Sequence, residues 1–202
     1  MTPRTWFRRA KPRSRLTNVL YTLLQTACMW GIFLIAIPAA VVVAERMIGV
    51  PRHDWAAARP VAMTLFCLAG SIGIACGLSF ALLGKGTPLP LDTTTQLVIV
   101  GPYRHVRNPM AVLGILQGVM VGVYLGSVGV IVYALAGIVV WHVFARPQEE
   151  DDLEARFGEA YRAYRQDVPL WIPKLKPHRR VVQGEHESLE AEPTEGSVTS
   201  SG

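Results

Sequence analysis

Apolar residues fall into three uncharged runs separated by short polar stretches, and the length of each run decides which element it forms. The first, Val19 to Ala44, holds 26 residues, more than the roughly 20 a helix needs to cross a bilayer core. It also exceeds the about 7–15 residues of a signal-peptide h-region, so it predicts a spanning helix over 19–44. Pro38 should kink it, because proline removes a backbone donor. The second run, Pro60 to Gly84, predicts a span over 60–84. Its small residues Gly70, Ser71, Gly73, Ala75 and Gly77 let neighbouring helices approach closely. The third run, Pro109 to Ala145, has 37 residues, too many for one helix and suited to two short ones. Gly126 and Ser127, with Gly129 just beyond, form its central turn signal, giving spans over 109–126 and 128–145. The pattern describes an all-α integral membrane protein with about four transmembrane helices, of which spans three and four make a short hairpin.

The ends of the chain are polar. Residues 1–18 form a basic tail, 19–173 the membrane domain and 174–202 a tail read as disordered, since the stretch from His178 onward is rich in Glu, Ser, Gly and Thr and has too little apolar surface to offset its ordering entropy. Lys and Arg residues set the orientation. With both termini cytoplasmic, 17 of the 20 lie inside and only Arg46, Arg52 and Arg59 outside, which implies a multi-pass protein of the plasma (inner) membrane. The net charge of +5 flanks apolar spans instead of forming one aromatic-interleaved face, which points to anionic lipid headgroups and away from nucleic acid. Cys28, Cys67 and Cys76 sit inside apolar runs without a CxxC pair or neighbouring His, so neither a metal site nor a disulfide is expected.

Two polar segments then share the cytoplasmic face: Lys85 to Asn108 and Arg146 to Pro173. Polar groups gathered at a lipid boundary are a site hypothesis. The first ends Val98-Ile-Val-Gly-Pro-Tyr-Arg-His-Val-Arg-Asn-Pro-Met110, a turn offering backbone groups, an aromatic ring at Tyr103 and cations at Arg104 and Arg107. The same residues also fit an ordinary helix entry, with Pro109 in the first turn and arginines on phosphate headgroups. In the second segment Leu153, Phe157, Tyr161 and Tyr164 recur at helical spacing, so an amphipathic helix can lay that face on the membrane surface. Its four consecutive acids, Glu149 to Asp152, fit either a pocket or a solvated first turn favoured by the helix dipole. Arg107, two residues before Pro109, can turn its guanidinium under this segment to meet Glu149 or Glu150. His105 is a headgroup contact or a candidate base, and His142 a partner for a neighbouring helix.

Taken in order, Gly-Pro-Tyr-Arg-His-Val-Arg-Asn-Pro, a two-helix hairpin, Glu-Glu-x-x-Leu, Phe-Gly-x-x-Tyr-x-x-Tyr and Val-Pro-x-Trp-x-Pro resemble the isoprenylcysteine carboxyl methyltransferase and phospholipid methyltransferase group over residues 95–173. The resemblance implies S-adenosylmethionine as cofactor and a lipid-like or small amphiphilic methyl acceptor reached through the bilayer. It implies cofactor contacts at Val100, Gly101, Pro102, Tyr103, Arg107, Asn108, Pro109, Gly114, Glu149 and Glu150, and catalytic roles for Arg107, Asn108 and Glu150. The family pattern Arg-His-Pro-x-Tyr-x-Gly is altered here to Arg107-Asn-Pro-Met-Ala-Val-Leu-Gly114. Asn108 replaces the histidine and cannot titrate, which favours cofactor binding over proton transfer at this position.

Methyl transfer from a sulfonium chiefly requires alignment and exclusion of water. A carboxylate acceptor, such as that of a lipidated cysteine, would want Arg104 or Arg107 nearby. A lipid amine would need Glu149 or Glu150 as base. Two other readings share this frame: an NADPH-dependent membrane sterol or enone reductase, which should show more clustered Arg and Lys than the second loop offers, and a non-catalytic scaffold.

Overall fold

The computed structural model describes residues 14–84 and 95–184. The basic tail up to Arg13, the Lys85 end of the first polar segment and residues 185–202 lie outside the described residues. Helix α1 (Arg15–Trp30) starts at Ser14, whose Oγ accepts from the Thr17 N–H at 3.1 Å and so satisfies one of the unpaired first-turn donors. A π turn (Gly31–Ala36) leads into α2 (Ile37–Met47). The sequence predicts a kink at Pro38, and the chain answers with this wide turn: Pro38 has no N–H, and the Ile37 N–H reaches back five residues to the Ile32 carbonyl. Such insertions accommodate a missing rung in a helix.

Helix α3 (Arg59–Leu83) turns Ala62, Ala69, Gly70, Cys76, Gly77 and Ala81 inward, as expected for small residues at a membrane helix contact. The hairpin comprises α4 (Pro109–Leu125) and α5 (Val128–Val140). It is tight because α4 presents glycine to α5; a Cβ on Gly122 would come within 2.5 Å of Ile131. Gly126 ends α4 in the left-handed region at φ 64, a conformation that costs glycine little, and Ser127 caps α5 through the Val130 N–H at 3.0 Å.

Three helical stretches, 15–47, 56–83 and 128–167, are long and apolar enough to cross a membrane, while α4 is a shorter apolar helix. A second π turn (Trp141–Ala145) carries α5 directly into α6 (Arg146–Asp167), where the apolar stretch ends. Inside α6, Gly158 breaks the helix at φ 48 and ψ −125, so α6 is two helical pieces folded about a glycine.

The two ends of the bundle are built differently. At one, residues 48–58 are tied to the hairpin turn: the His53 N–H donates to the Gly126 carbonyl at 3.0 Å, and Arg52 donates to the Leu125 carbonyl. Glu45, buried at the end of α2, accepts from Ser127 Oγ at 2.7 Å and from the Gly129 N–H at 2.8 Å. At the other end an antiparallel ribbon joins β1 (Gln96–Ile99) to β2 (Val181–Gly184), with Gln96 opposite Gly184 and Ile99 opposite Val181.

The ribbon corrects two expectations. Residues 174–184, read as the start of a disordered tail, are placed by backbone bonds: the Lys174 N–H to the His105 carbonyl at 3.0 Å, the His178 N–H to the Arg104 carbonyl at 2.8 Å, and then β2 itself. The amphipathic face of α6 does not lie on the membrane surface. Phe157, Tyr161, Tyr164 and Val168 pack with Leu97 and Ile99 of β1 in a small core of their own, because the ribbon offers a dry apolar face within reach.

Candidate functional site

The site forms where the segment 95–108 meets α6 and the chain after it. Val100 is buried and precedes Gly101, which stands at φ 52. A 3-10 turn over Gly101–Arg104 follows, with Pro102 in its first positions. The Arg107 N–H donates to the Pro169 carbonyl at 2.9 Å, so the Val-Pro-x-Trp-x-Pro segment is strapped directly under the Arg-Asn-Pro segment.

At the centre stands Glu150, buried at 6% exposure. Arg107 Nη1 lies 2.5 Å from its Oε1. Arg146 approaches both carboxylate oxygens, with Nε at 3.2 Å and Nη2 at 3.3 Å, and Arg165 Nε is 3.5 Å from Oε2. Three guanidiniums therefore approach one carboxylate, and Arg165 also pairs with Glu154 at 3.0 Å, so the positive surplus is that of one guanidinium. Arg107 Nε is buried and finds no acceptor. An unsatisfied charged donor in this setting is costly, and an acceptor within reach would satisfy it.

Glu149 behaves differently from its neighbour. It is partly buried, and its carboxylate makes no hydrogen bond or ion pair among the described residues. Desolvation, with further contributions from Glu150 and Asp152, pushes its carboxyl up to about 7. The two adjacent glutamates thus divide: one is surrounded by arginines, and the other is pushed toward its protonated form by burial.

Several residues singled out by the sequence are occupied elsewhere. The Tyr103 ring is buried against Phe80, edge to face at 4.9 Å between centroids, and its carbonyl accepts from Tyr164 Oη at 2.8 Å. It is a core aromatic, not a face presented to a ligand, since only a residue's neighbours tell which way a ring turns. Arg104 Nε donates to the His178 carbonyl at 2.7 Å, so it anchors the returning chain and is not a free cation for an acceptor. His105 Nδ1 lies 2.8 Å from the Lys174 carbonyl, in the same strap. Asn108 Oδ1 accepts from the Ala111 N–H at 3.1 Å, capping α4 ahead of Pro109. Gly114 faces open space; a Cβ there would meet nothing within 4 Å. His142 accepts from Trp171 Nε1 at 3.2 Å and lies 3.3 Å from Arg146 Nη1, linking the π turn after α5 to the final proline segment. Asp167 receives both Lys174 and His178, which hold its carboxyl below the usual range.

Sequence reasoning missed Arg146 and Arg165. Arg146 was open to discovery, because it stands four residues before Glu150 on one helix face. Arg165 was not: fifteen residues along a straight helix is roughly 22 Å, and only the bend at Gly158 returns it to Glu150.

A bundle of apolar helices with an arginine-ringed, buried Glu150 at one end fits an integral membrane protein with a polar site at the bilayer boundary. Residues 61–160 match the family model described as phospholipid methyltransferase. The family implies a membrane methyltransferase. Among curated proteins, none matches the chain significantly.

Proposed function

We propose that the chain transfers a methyl group from S-adenosylmethionine to a lipid amine at the Glu150 end of the bundle, with that end and both termini on the cytoplasmic side of the plasma (inner) membrane. The observation that carries the reading is the unequal pair: Glu150 surrounded by Arg107, Arg146 and Arg165, and Glu149 beside it without a partner among the described residues. The donor set suits the cofactor. The surplus of guanidinium charge and the unsatisfied Arg107 Nε would hold its carboxylate, in the planar geometry arginine favours, and the open space at Gly114 leaves room along α4. When bound, S-adenosylmethionine supplies a methyl group already made electrophilic by its sulfonium.

The chain's own residues then have three tasks. Arg107, fixed at its backbone by Pro169 and at its side chain by Glu150, orients the anion. Asn108, as the cap of α4, sets where that helix begins and moves no proton. Glu149 takes the proton that an ammonium acceptor must lose before its nitrogen lone pair can attack. An amine fits better than the carboxylate of a lipidated cysteine, because Glu149 would repel an incoming carboxylate and would stabilise an incoming ammonium.

Calorimetric titration of S-adenosylmethionine into the detergent-purified protein, followed by mass spectrometry of amine-headgroup vesicles incubated with both, tests the reading. Binding and methylated headgroups are expected. Absence of binding would overturn the cofactor, and binding without methylated lipid amine would overturn the acceptor.

A further inference from the structure

A second site lies at the end of the bundle opposite Glu150. A cavity of about 500 Å³ opens between α2, α3 and α4, within the about 300–1,000 Å³ of small-molecule sites. One wall is a single helical stripe, Leu34, Pro38, Val42 and Arg46, each four residues from the last, faced by Phe66 and Met120. Twelve residues of helix give that wall a length of roughly 18 Å, the shape of a trough.

Its lining is apolar except for Arg46 and Arg52 at the mouth and for Tyr124, and no Asp or Glu joins them. Arg52 is steadied by the Leu125 carbonyl. Arg46 is exposed and its side chain has no hydrogen bond or ion pair among the described residues. The neighbouring acid, Glu45, is already taken by Ser127 and Gly129, so it does not neutralise the mouth. A helix face that merely met lipid tails would need no such pair. Guanidiniums closing a long apolar trough match a molecule with an alkyl chain and an anionic head.

We propose that this cavity holds an anionic phospholipid, its phosphate on Arg46 and Arg52 and one acyl chain along the Leu34–Val42 stripe. The lipid is not the methyl acceptor, since α4 separates the two ends by roughly 24 Å. Its place is structural: it fills the space between α2, α3 and α4 beneath residues 48–58.

The purified full chain, exchanged into an equimolar mixture of phosphatidylglycerol and phosphatidylcholine micelles and then washed in detergent, should retain phosphatidylglycerol in excess. Arg46→Gln, at an exposed position, should lower retained phosphatidylglycerol about fivefold without changing phosphatidylcholine. Ala39→Phe, which places a ring in the trough, should lower both. Equal retention of the two lipids by the wild type, an unchanged preference in Arg46→Gln, or full retention in Ala39→Phe would each overturn the proposal.

Discussion

Glu150 and Arg107 are separated by 43 positions and meet at 2.5 Å, both nearly enclosed, with side-chain exposures of 8% and 12%. A charge pair so placed is more sensitive to removal of one member than its net contribution suggests, because the remaining charge stays buried. Arg107→Ala is therefore expected to weaken cofactor binding by about 2–5 kcal/mol. Arg107→Lys should recover only part, restoring charge without the planar contact. Calorimetry on the three proteins checks this; equal affinities would remove Arg107 from the site. Glu149 gives a pH prediction with a definite sign. Its folded carboxyl titrates near 7, above its unfolded value, so between about 4.5 and 7 the folded state holds more protons than the unfolded. Stability from this group therefore falls as pH rises through that window and levels off above it. Denaturation midpoints should show the fall in wild type and lose it in Glu149→Gln, while turnover of an amine substrate should rise through pH 7 only in wild type. The pairing of Arg107 with a glutamate was legible in the sequence from its position before Pro109. The burial of Tyr103 against Phe80 was not, because an isolated aromatic carries no record of which side of a turn its ring will take.

At the scale of elements, the runs of apolar residues reported the membrane helices well, since a bilayer span is a long, local signal. The bend at Gly126 and Ser127 was equally legible, because glycine supplies the left-handed φ that the turn requires. The β1–β2 ribbon was invisible for the opposite reason. Each strand has four residues, and their partners lie some eighty positions apart, so no local periodicity announces them. The bend in α6 was hidden too: Gly158 sits within a pattern that reads as continuous helix. These elements make residues 174–184 structural. Ending the chain after residue 177 removes β2, the His178 anchor on Arg104 and the Val181 contact with the core of Phe157 and Tyr161, whereas ending it after residue 184 keeps all three. The shorter form should melt several degrees lower and lose cofactor binding, and the longer form should match the full chain; equal melting temperatures would show that the ribbon contributes nothing.

Across the whole molecule, the first loop and the hairpin turn share one end, and the Arg107 segment and α6 share the other. Three helical stretches are long and apolar enough to cross a membrane, and α4 is a shorter apolar helix between the second and third. The far end is tied to the hairpin turn by Glu45, Arg52 and His53, and the ribbon end is tied to the returning chain by the Arg104 and His105 carbonyls.

The π turn at Trp141–Ala145 has a consequence for how the protein senses its surroundings. Because α5 runs through it into α6 without a break until Gly158, Glu149 and Glu150 ride on the same rod that spans the lipid, about 6 Å beyond Ala145. Hydrocarbon thickness then sets the height of the acids above the membrane, and a mismatched bilayer is accommodated by tilt, which would swing them sideways against Arg107. Turnover in vesicles of graded acyl length should accordingly peak at one thickness and fall on both sides, whereas Arg107–Glu150 geometry independent of the rod would give a flat profile. On this view the bilayer acts as a gauge block for the active end, and lipid chain length becomes an adjustable parameter of the chemistry.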